Sequence, residues 1–321
     1  MSDNNKGPRS SAAPGVRMEE VSADDAGQRL DNFLLRRLKG VPRTRIYRIV
    51  RKGEVRVNRS RARPATRLVE GDIVRIPPVR VGEARVRVAP WPEFEERILH
   101  EDKQLIVIDK PAGMAVHGGS GVSAGVIEIL RASRPELTLE LVHRLDRETS
   151  GCLMGAKQRS FLRRVHALLR TRHGMRKRYL AGLDGIWSGK REVDAPLATY
   201  IRGGGERRSR IDHHNGKPSL TRFTLVRQGV ALALVRAEPV TGRTHQIRVH
   251  AAGEGCPVVG DPKYGVAATG QDAKAHGRRS QRMLLHAESI VLHESETGYS
   301  LEVSAPADRA MAEAIESIDG L

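Results

Sequence analysis

From Ile98 onward, short apolar runs follow one another with only two clear helical patterns among them. The runs are LIVIDK (105–110), SGCLMGAK (150–157), RYLAGL (178–183), LTRFTLVR (220–227), ALALVRAEP (231–239), SIVLHE (289–294) and YSLEVSAP (299–306). Runs of this length bounded by polar segments read as strands. The helical patterns are FLRRVHALLR (161–170) and HQIRVHAAG (245–253). Many strands and few crossover helices predict an α+β fold on a mostly antiparallel sheet. The polar, Gly-rich stretches 202–218 and 265–280 are expected to be surface loops, open to RNA contact.

The front of the chain differs. Residues 1–18 are rich in Ser, Gly, Pro and Asn and are expected to form a disordered tail. Residues 19–80 read as a small domain. QRLDNFLLRRLKG places Leu30, Phe33, Leu34 and Leu38 on one helical face, and Gly40 ends it. Pro42 opens a second helix with Ile46, Ile49 and Val50 inward, stopped at Gly53. Arg43, Arg45, Arg48, Arg51 and Lys52 are left for solvent or RNA. EVRVN and DIVRIPP follow as short strands. Residues 81–95 read as a linker, and 96–321 as the second domain.

Charge separates the two parts further. Residues 28–80 hold 16 Lys and Arg against 4 Asp and Glu, which is 12 of the chain's 17 net positive charges. A solvated helix face mixes both signs; a one-sided block is the electrostatic footprint of a polyanion-binding surface. At 3% aromatic residues the chain is poorly equipped to stack many bases in a row. No apolar run approaches membrane-helix length and no signal peptide is evident, so a cytoplasmic location is expected. The two cysteines, Cys152 and Cys256, have no partner spacing, which fits a reducing compartment.

Several chemistries lack their residues. Neither the Gly-rich HGGSG (117–121) nor GGG (203–205) has the Lys-Ser/Thr ending of a phosphate loop. No H-E-x-x-H, paired-Cys motif or G-x-S-x-G elbow occurs. The segment LVHRLDRETSGCLMGAK (141–157) stands out instead. Asp146 lies between Arg144 and Arg147, between a strand-like end and a Thr-Ser-Gly turn. A carboxylate beside Arg is favoured in its charged form, which suits a nucleophile better than a general acid. An ordinary loop salt bridge fits the same local composition. RLD also occurs at 29–31, where Leu30 belongs to a helix stripe and Asp31 is expected on the helix surface.

HRLDRETSG (143–151) resembles the signature of the RluA-type pseudouridine synthases. Three more blocks match that family in order: IDKPAGMAVHGG (108–119), KRYLAG (177–182) and PVTGRTHQIRVHAAGEGCPVVGDPKYG (239–265). The basic front domain resembles the alpha-L, S4-like RNA-binding fold. Departures are mild: Glu148 stands where Asp is commoner, and CLMGAK is less uniformly aliphatic than usual.

The resemblance implies a small S4-like α/β domain, then a catalytic domain on a mostly antiparallel mixed sheet with flanking helices and loops. It implies isomerisation of uridine to pseudouridine in 23S, large-subunit ribosomal RNA. The alternatives are the same reaction on tRNA or other ribosomal sites, or a non-catalytic ribosome-assembly protein. The reaction breaks the N1–C1′ bond, turns the uracil and rejoins it through C5, so neither cofactor nor metal is implied. Asp146 is implied as the catalytic carboxylate and Tyr179 as the aromatic group against the uracil. Arg248 is implied as the arginine that pairs with Asp146. Arg144 would fill the space of the flipped base, Ile247 would line the pocket, and His143 and Arg243 would contact substrate. The partner is ribosomal RNA, free or in an assembly intermediate, and a monomer is expected.

Overall fold

The computed structural model describes residues 15–38, 41, 43–79, 91–118, 124–171, 174–203, 206–265 and 282–319, without the side chains of Arg43 and Pro92. The chain divides into two compact units, Met1–Arg87 and Val88–Leu321.

In the first unit, β1 (Arg17–Glu20) is followed by α1 (Leu30–Arg37), α2 (Arg43–Arg51), β2 (Arg56–Val57), β3 (Ser60–Arg61) and β4 (Ile73–Ile76). The strands form one sheet in the order β1-β4-β2-β3. The helix faces read from the sequence are the buried ones: Leu30, Phe33, Leu34, Leu38, Ile46, Ile49 and Val50 pack with Val55, Leu68, Val74 and Ile76. The helix stop at Gly40 and the start at Pro42 lie outside the described residues.

Two expectations change here. β1 begins at Arg17, inside the stretch expected to be tail, because four residues of it pair antiparallel with β4. Asp31 is not on a helix surface; it is 2% exposed. Arg29 grips both its oxygens at 2.7–3.1 Å and the Tyr47 hydroxyl donates to it at 2.8 Å. Burial pushes its carboxyl up, but these bonds and the Asn32 N–H outweigh that and hold it below the usual value.

The second unit carries β5 (Ile98–Glu101), β6 (Leu105–Lys110), α3 (Val126–Ser133), β7 (Glu140–Leu141), β8 (Ser150–Ala156), α4 (Arg159–Thr171) and β9 (Met175–Asp184). It continues with β10 (Lys190–Asp194), β11 (Leu197–Arg202), β12 (Glu206–Ile211), β13 (Leu220–Gln228), β14 (Leu232–Pro239), α5 (Gln246–Gly253), β15 (Leu285–Glu294), β16 (Tyr299–Ser304) and α6 (Arg309–Asp319). Ten strands make one sheet in the order β10-β13-β14-β9-β15-β8-β6-β5, with β16 on β15 and β7 on β8. Every pairing in it is antiparallel except β15 with β8. At that parallel contact Gly151 adopts φ +98°, and a Cβ there would run into the Ala287 carbonyl.

The central runs β6, β8 and β14 are continuous rather than alternating because the sheet there is covered on both faces. Along β14, Ala233, Val235 and Ala237 belong to the main core with residues of α3, α4 and α5. Leu232 and Leu234 pack instead with Met311 and Ile318 of α6. Strand side chains alternate between faces, so α6 covers the face opposite the other helices.

The stretch 202–218, expected as a loop, is partly strand. β11 and β12 pair from Leu197↔Ile211 to Arg202↔Glu206 as a two-stranded ribbon. Polar residues on both faces, such as the Tyr200–Arg208 and Thr199–Ser209 pairs, hid the alternation that would have marked it. The expected linker 81–95 lies largely outside the described residues, but its end enters a 3-10 helix at Pro92–Arg97. The loop expected at 265–280 lies outside them beyond Gly265.

Candidate active site

Asp146 sits in the turn between β7 and β8, and this turn is clamped from below. Lys110, at the end of β6, is completely buried. Its ammonium donates to three carbonyl oxygens: Pro111 at 2.7 Å, Met114 at 2.9 Å and Arg147 at 3.0 Å. Three acceptors match the three N–H groups of an ammonium. Gly113 N–H also donates to the Arg147 carbonyl, and Arg147 Nε returns a bond to the Gly113 carbonyl, both at 2.9 Å. The segment after β6 and the turn bearing Asp146 are thus one hydrogen-bonded body.

The arginines that flank Asp146 in sequence do not pair with it. Arg144 and Arg147 are exposed. Arg248, in the first turn of α5, takes that place: its Nη1 donates to Asp146 Oδ2 at 2.8 Å. Arg248 is 3% exposed. Asp261 holds the rest of its guanidinium through two bonds of 2.7 Å. Burial works against the charged guanidinium, but Asp261 and then Asp146 more than offset this and raise its pKa. The Asp261 carboxyl is pushed up by burial and brought below its usual value by Arg248 and two backbone N–H groups.

The start of α5 is fixed by Gln246. Its Oε1 accepts from Thr241 Oγ1 at 2.7 Å and from Arg243 N at 3.0 Å, and its Nε2 donates to the Leu220 carbonyl at 2.9 Å. This ties the 241–246 turn to β13 and sets where Ile247 and Arg248 point.

Tyr179, on β9, is 8% exposed. Its hydroxyl makes no hydrogen bond among the described residues. Burial, and then the charge of Asp146, push that hydroxyl well above its ordinary pKa, so it keeps its proton. His143 accepts from Met154 N–H through Nε2 at 3.2 Å. Burial pushes its imidazole down to about 3, so it is neutral.

Asp146, Tyr179, Arg248, Arg144, His143, Ile247 and Arg243 all line one cavity of about 760 Å³. That is ample for a flipped nucleotide. Arg131 and Arg170 add positive charge to its walls, and Lys177 lines it with an amine whose pKa burial lowers. Arg243 is exposed and donates through Nε to the Pro218 carbonyl at 3.2 Å. Among the described residues no three His, Cys, Asp or Glu side chains are grouped as metal ligands.

Sequence reasoning missed Lys110, Asp261, His245 and Tyr264. All four lie inside the matched blocks, yet none carried an assigned role, since each acts through contacts with residues distant in the chain.

In the first unit, Arg45 of α2 is half-buried, and Arg48, Arg51 and Lys52 are exposed. A second basic group lies on the sheet. Met18, Arg75, Arg56 and Arg61 stand opposite one another in a single row across its four strands. Among the described residues the three arginines bond only to backbone carbonyls, of Glu54, Arg59 and Lys52. Like charges directly opposite each other destabilise a sheet.

Two family models match the chain: RNA pseudouridylate synthase over residues 104–253 and the S4 domain over residues 28–74. A Yersinia pestis protein named ribosomal large subunit pseudouridine synthase C is 48% identical over 305 residues, 93% of this chain and 94% of its own. The Escherichia coli (strain K12) protein of that name is 48% identical over 313 residues, 95% of this chain and 97% of its own. Among solved structures, human RNA pseudouridylate synthase domain containing 4 superposes with a TM-score of 0.55 at 26% identity, covering 71% of this chain and 95% of that one.

Proposed function

This chain belongs to the RNA pseudouridylate synthase family and isomerises uridine in large-subunit ribosomal RNA, and from that premise we propose that Asp146 is the group on which the reaction turns. The observation that carries this assignment is the guanidinium of Arg248, buried between Asp146 and Asp261 in a cavity shared with Tyr179.

The isomerisation is balanced within the substrate. The N1–C1′ bond breaks, the uracil turns, and a C5–C1′ bond forms; the C5 hydrogen leaves as a proton and N1 gains one. The target base must leave its stack at a cost of a few kcal/mol. Arg144, exposed at the cavity edge, fills the space it leaves. Arg248 fixes Oδ2 of Asp146, so Oδ1 faces the nucleotide with its electron pairs available to start the cleavage. The ring of Tyr179 backs the uracil. Its hydroxyl, kept protonated by its surroundings, is suited to a late proton transfer at the turned base. His143, Ile247 and Arg243 complete the lining.

Residues 19–80 supply phosphate contacts that bring affinity with little base specificity. Residues 96–321 form the catalytic domain and 81–95 join the two. The enzyme works as a monomer in the cytoplasm, on free RNA or an assembly intermediate. Among the described residues no helix is long and apolar enough to cross a membrane.

The test is substrate choice. Transcripts of large-subunit RNA, small-subunit RNA and tRNA are incubated separately with the protein, and pseudouridine is measured by mass spectrometry of nuclease digests. Pseudouridine in the large-subunit transcript alone is the expected result. Pseudouridine only in tRNA would overturn the substrate, and none in any transcript would overturn catalysis on free RNA.

A further inference from the structure

Helix α5 starts on a residue whose backbone is unfavourable. His245 has φ 55° and ψ 25°, in the left-handed region. That conformation brings the Cβ too close to the following carbonyl oxygen. Histidine is among the side chains found there more often than most. His245 gains no capping bond in exchange, for its side chain makes none to the helix. The turn instead carries the imidazole over to Asp146. Strain retained without local gain is a pointer to function.

The ring is held at one end and faces Asp146 at the other. His245 Nδ1 lies 2.8 Å from the Tyr264 hydroxyl. His245 Nε2 lies 3.9 Å from Asp146 Oδ1, the oxygen that Arg248 leaves open. The Tyr264 oxygen accepts the Ser209 backbone N–H at 2.8 Å. Among the described residues its own proton has one acceptor, His245 Nδ1. An imidazole that accepts at Nδ1 carries its proton on Nε2. Tyr264 therefore sets the tautomer that turns an N–H toward the carboxylate. The charged groups around the ring are Asp146, Arg248, Lys263 and Asp261. Burial pushes the imidazole down to about 4, with Asp146 opposing and Arg248 and Lys263 assisting, so the ring is neutral at physiological pH.

We propose that His245, with its tautomer fixed by Tyr264, is a positioning residue that holds the Oδ1 side of Asp146 through Nε2–H while Arg248 holds Oδ2. The inference rests on Asp146 as the reacting carboxylate. At 3.9 Å the contact is longer than a hydrogen bond, and the proposed role requires it to shorten in the complex with RNA. With both oxygens restrained, the carboxylate cannot rotate out of line when the base arrives.

The experiment is single-turnover tritium release from C5-labelled large-subunit RNA, with RNA affinity and thermal unfolding measured on the same full-length proteins. These are wild type, Asp146→Asn, His245→Ala, His245→Gln, Tyr264→Phe and the double variant Tyr264→Phe with His245→Gln. His245→Ala is expected to slow turnover about 10- to 100-fold, the scale of a lost positioning contact, with RNA affinity within about twofold. Gln places an amide N–H near the position of Nε2 and has no tautomer to fix. His245→Gln is therefore expected to recover most of the loss, and Tyr264→Phe to slow the wild type but not the His245→Gln enzyme. Nitrogen NMR of the imidazole is expected to show the Nε2–H form in wild type and a mixture in Tyr264→Phe. A His245→Ala enzyme at wild-type rate, a Gln variant no better than Ala, or equal slowing by Tyr264→Phe in both backgrounds would overturn the positioning role while leaving Asp146 in place. Equal release by wild type and Asp146→Asn would instead remove the reacting carboxylate, and this role with it.

Discussion

Asp261 holds Arg248 in a two-pronged grip, Oδ2 to Nε and Oδ1 to Nη2, each at 2.7 Å. The Asp261 side chain is fully buried and the Arg248 side chain 4% exposed. Such a paired geometry restrains the guanidinium plane, and with it the third N–H group that reaches Asp146. Asp261 does not itself line the cavity, yet through Arg248 it restrains the Asp146 carboxylate.

Asp261→Asn keeps the shape and removes the charge. Turnover is expected to fall about 10- to 100-fold, with RNA affinity nearly unchanged, as follows when positioning is lost without loss of binding. Stability should fall by about 1–3 kcal/mol, because a buried bond to a charged group is weakened. Single-turnover kinetics and denaturant unfolding on one preparation measure both.

Tyr179→Phe separates the ring from the hydroxyl. The hydroxyl makes no hydrogen bond within the described protein, so the unfolding midpoint should stay the same. RNA affinity should also hold, because the ring remains. Turnover should drop by about 10²–10⁴-fold if the hydroxyl serves in proton transfer. A rate equal to wild type would take the hydroxyl out of the chemistry.

Lys110 predicts a pH dependence of stability. Burial lowers its pKa from 10.5 to about 7, against the pull of Glu148 and Asp146. Below pH 7 both folded and unfolded chains hold the proton. Between about 7 and 10.5 the unfolded chain holds it and the folded chain does not, so stability rises with pH across that window. Lys110→Met should abolish this rise. It should also lower stability at neutral pH, because three carbonyls lose their donor. Unfolding titrations at several pH values between 6 and 10 check the slope.

The arginine row on the front sheet predicts a salt effect. Replacing Arg56, Arg61 and Arg75 together by Ala should relieve like-charge crowding and leave the unit folded. It should lower the slope of log affinity against log salt by about 2–3, if each arginine neutralises one phosphate. An unchanged slope would assign the phosphate contacts to Arg48, Arg51 and Lys52 instead.

The sequence was most legible where periodicity carried the fold. The stripe Leu30, Phe33, Leu34, Leu38 and the face Ile46, Ile49, Val50 are buried as their spacing implies. The apolar strands of the catalytic unit lie in one large sheet. Legibility failed where polar residues formed regular structure, as in the β11–β12 ribbon, or where a charge was buried. Asp31 looked like a surface residue because one partner, Tyr47, comes within reach only once α1 and α2 pack together, and the Arg29 beside it gives no sign of burial. The site had the same limit. Asp146, Tyr179 and Arg248 lie on a turn, a strand and a helix spread over about a hundred residues. No local spacing joins them; the resemblance of four ordered blocks did. Lys110 and Asp261 were hidden because a buried charge in an apolar or Gly-rich block gives no sign of the carbonyls or the guanidinium that compensate it.

The central claim is that Asp146 carries the chemistry while binding resides elsewhere. Tritium release from C5-labelled large-subunit RNA, with no added metal or nucleotide, tests it on wild type beside Asp146→Asn, with RNA affinity measured on both. Release by wild type alone, with affinities within about threefold, is the predicted result, since phosphate contacts dominate affinity. Release by the Asn variant at a comparable rate would contradict the claim, as would a loss of binding as large as the loss of turnover.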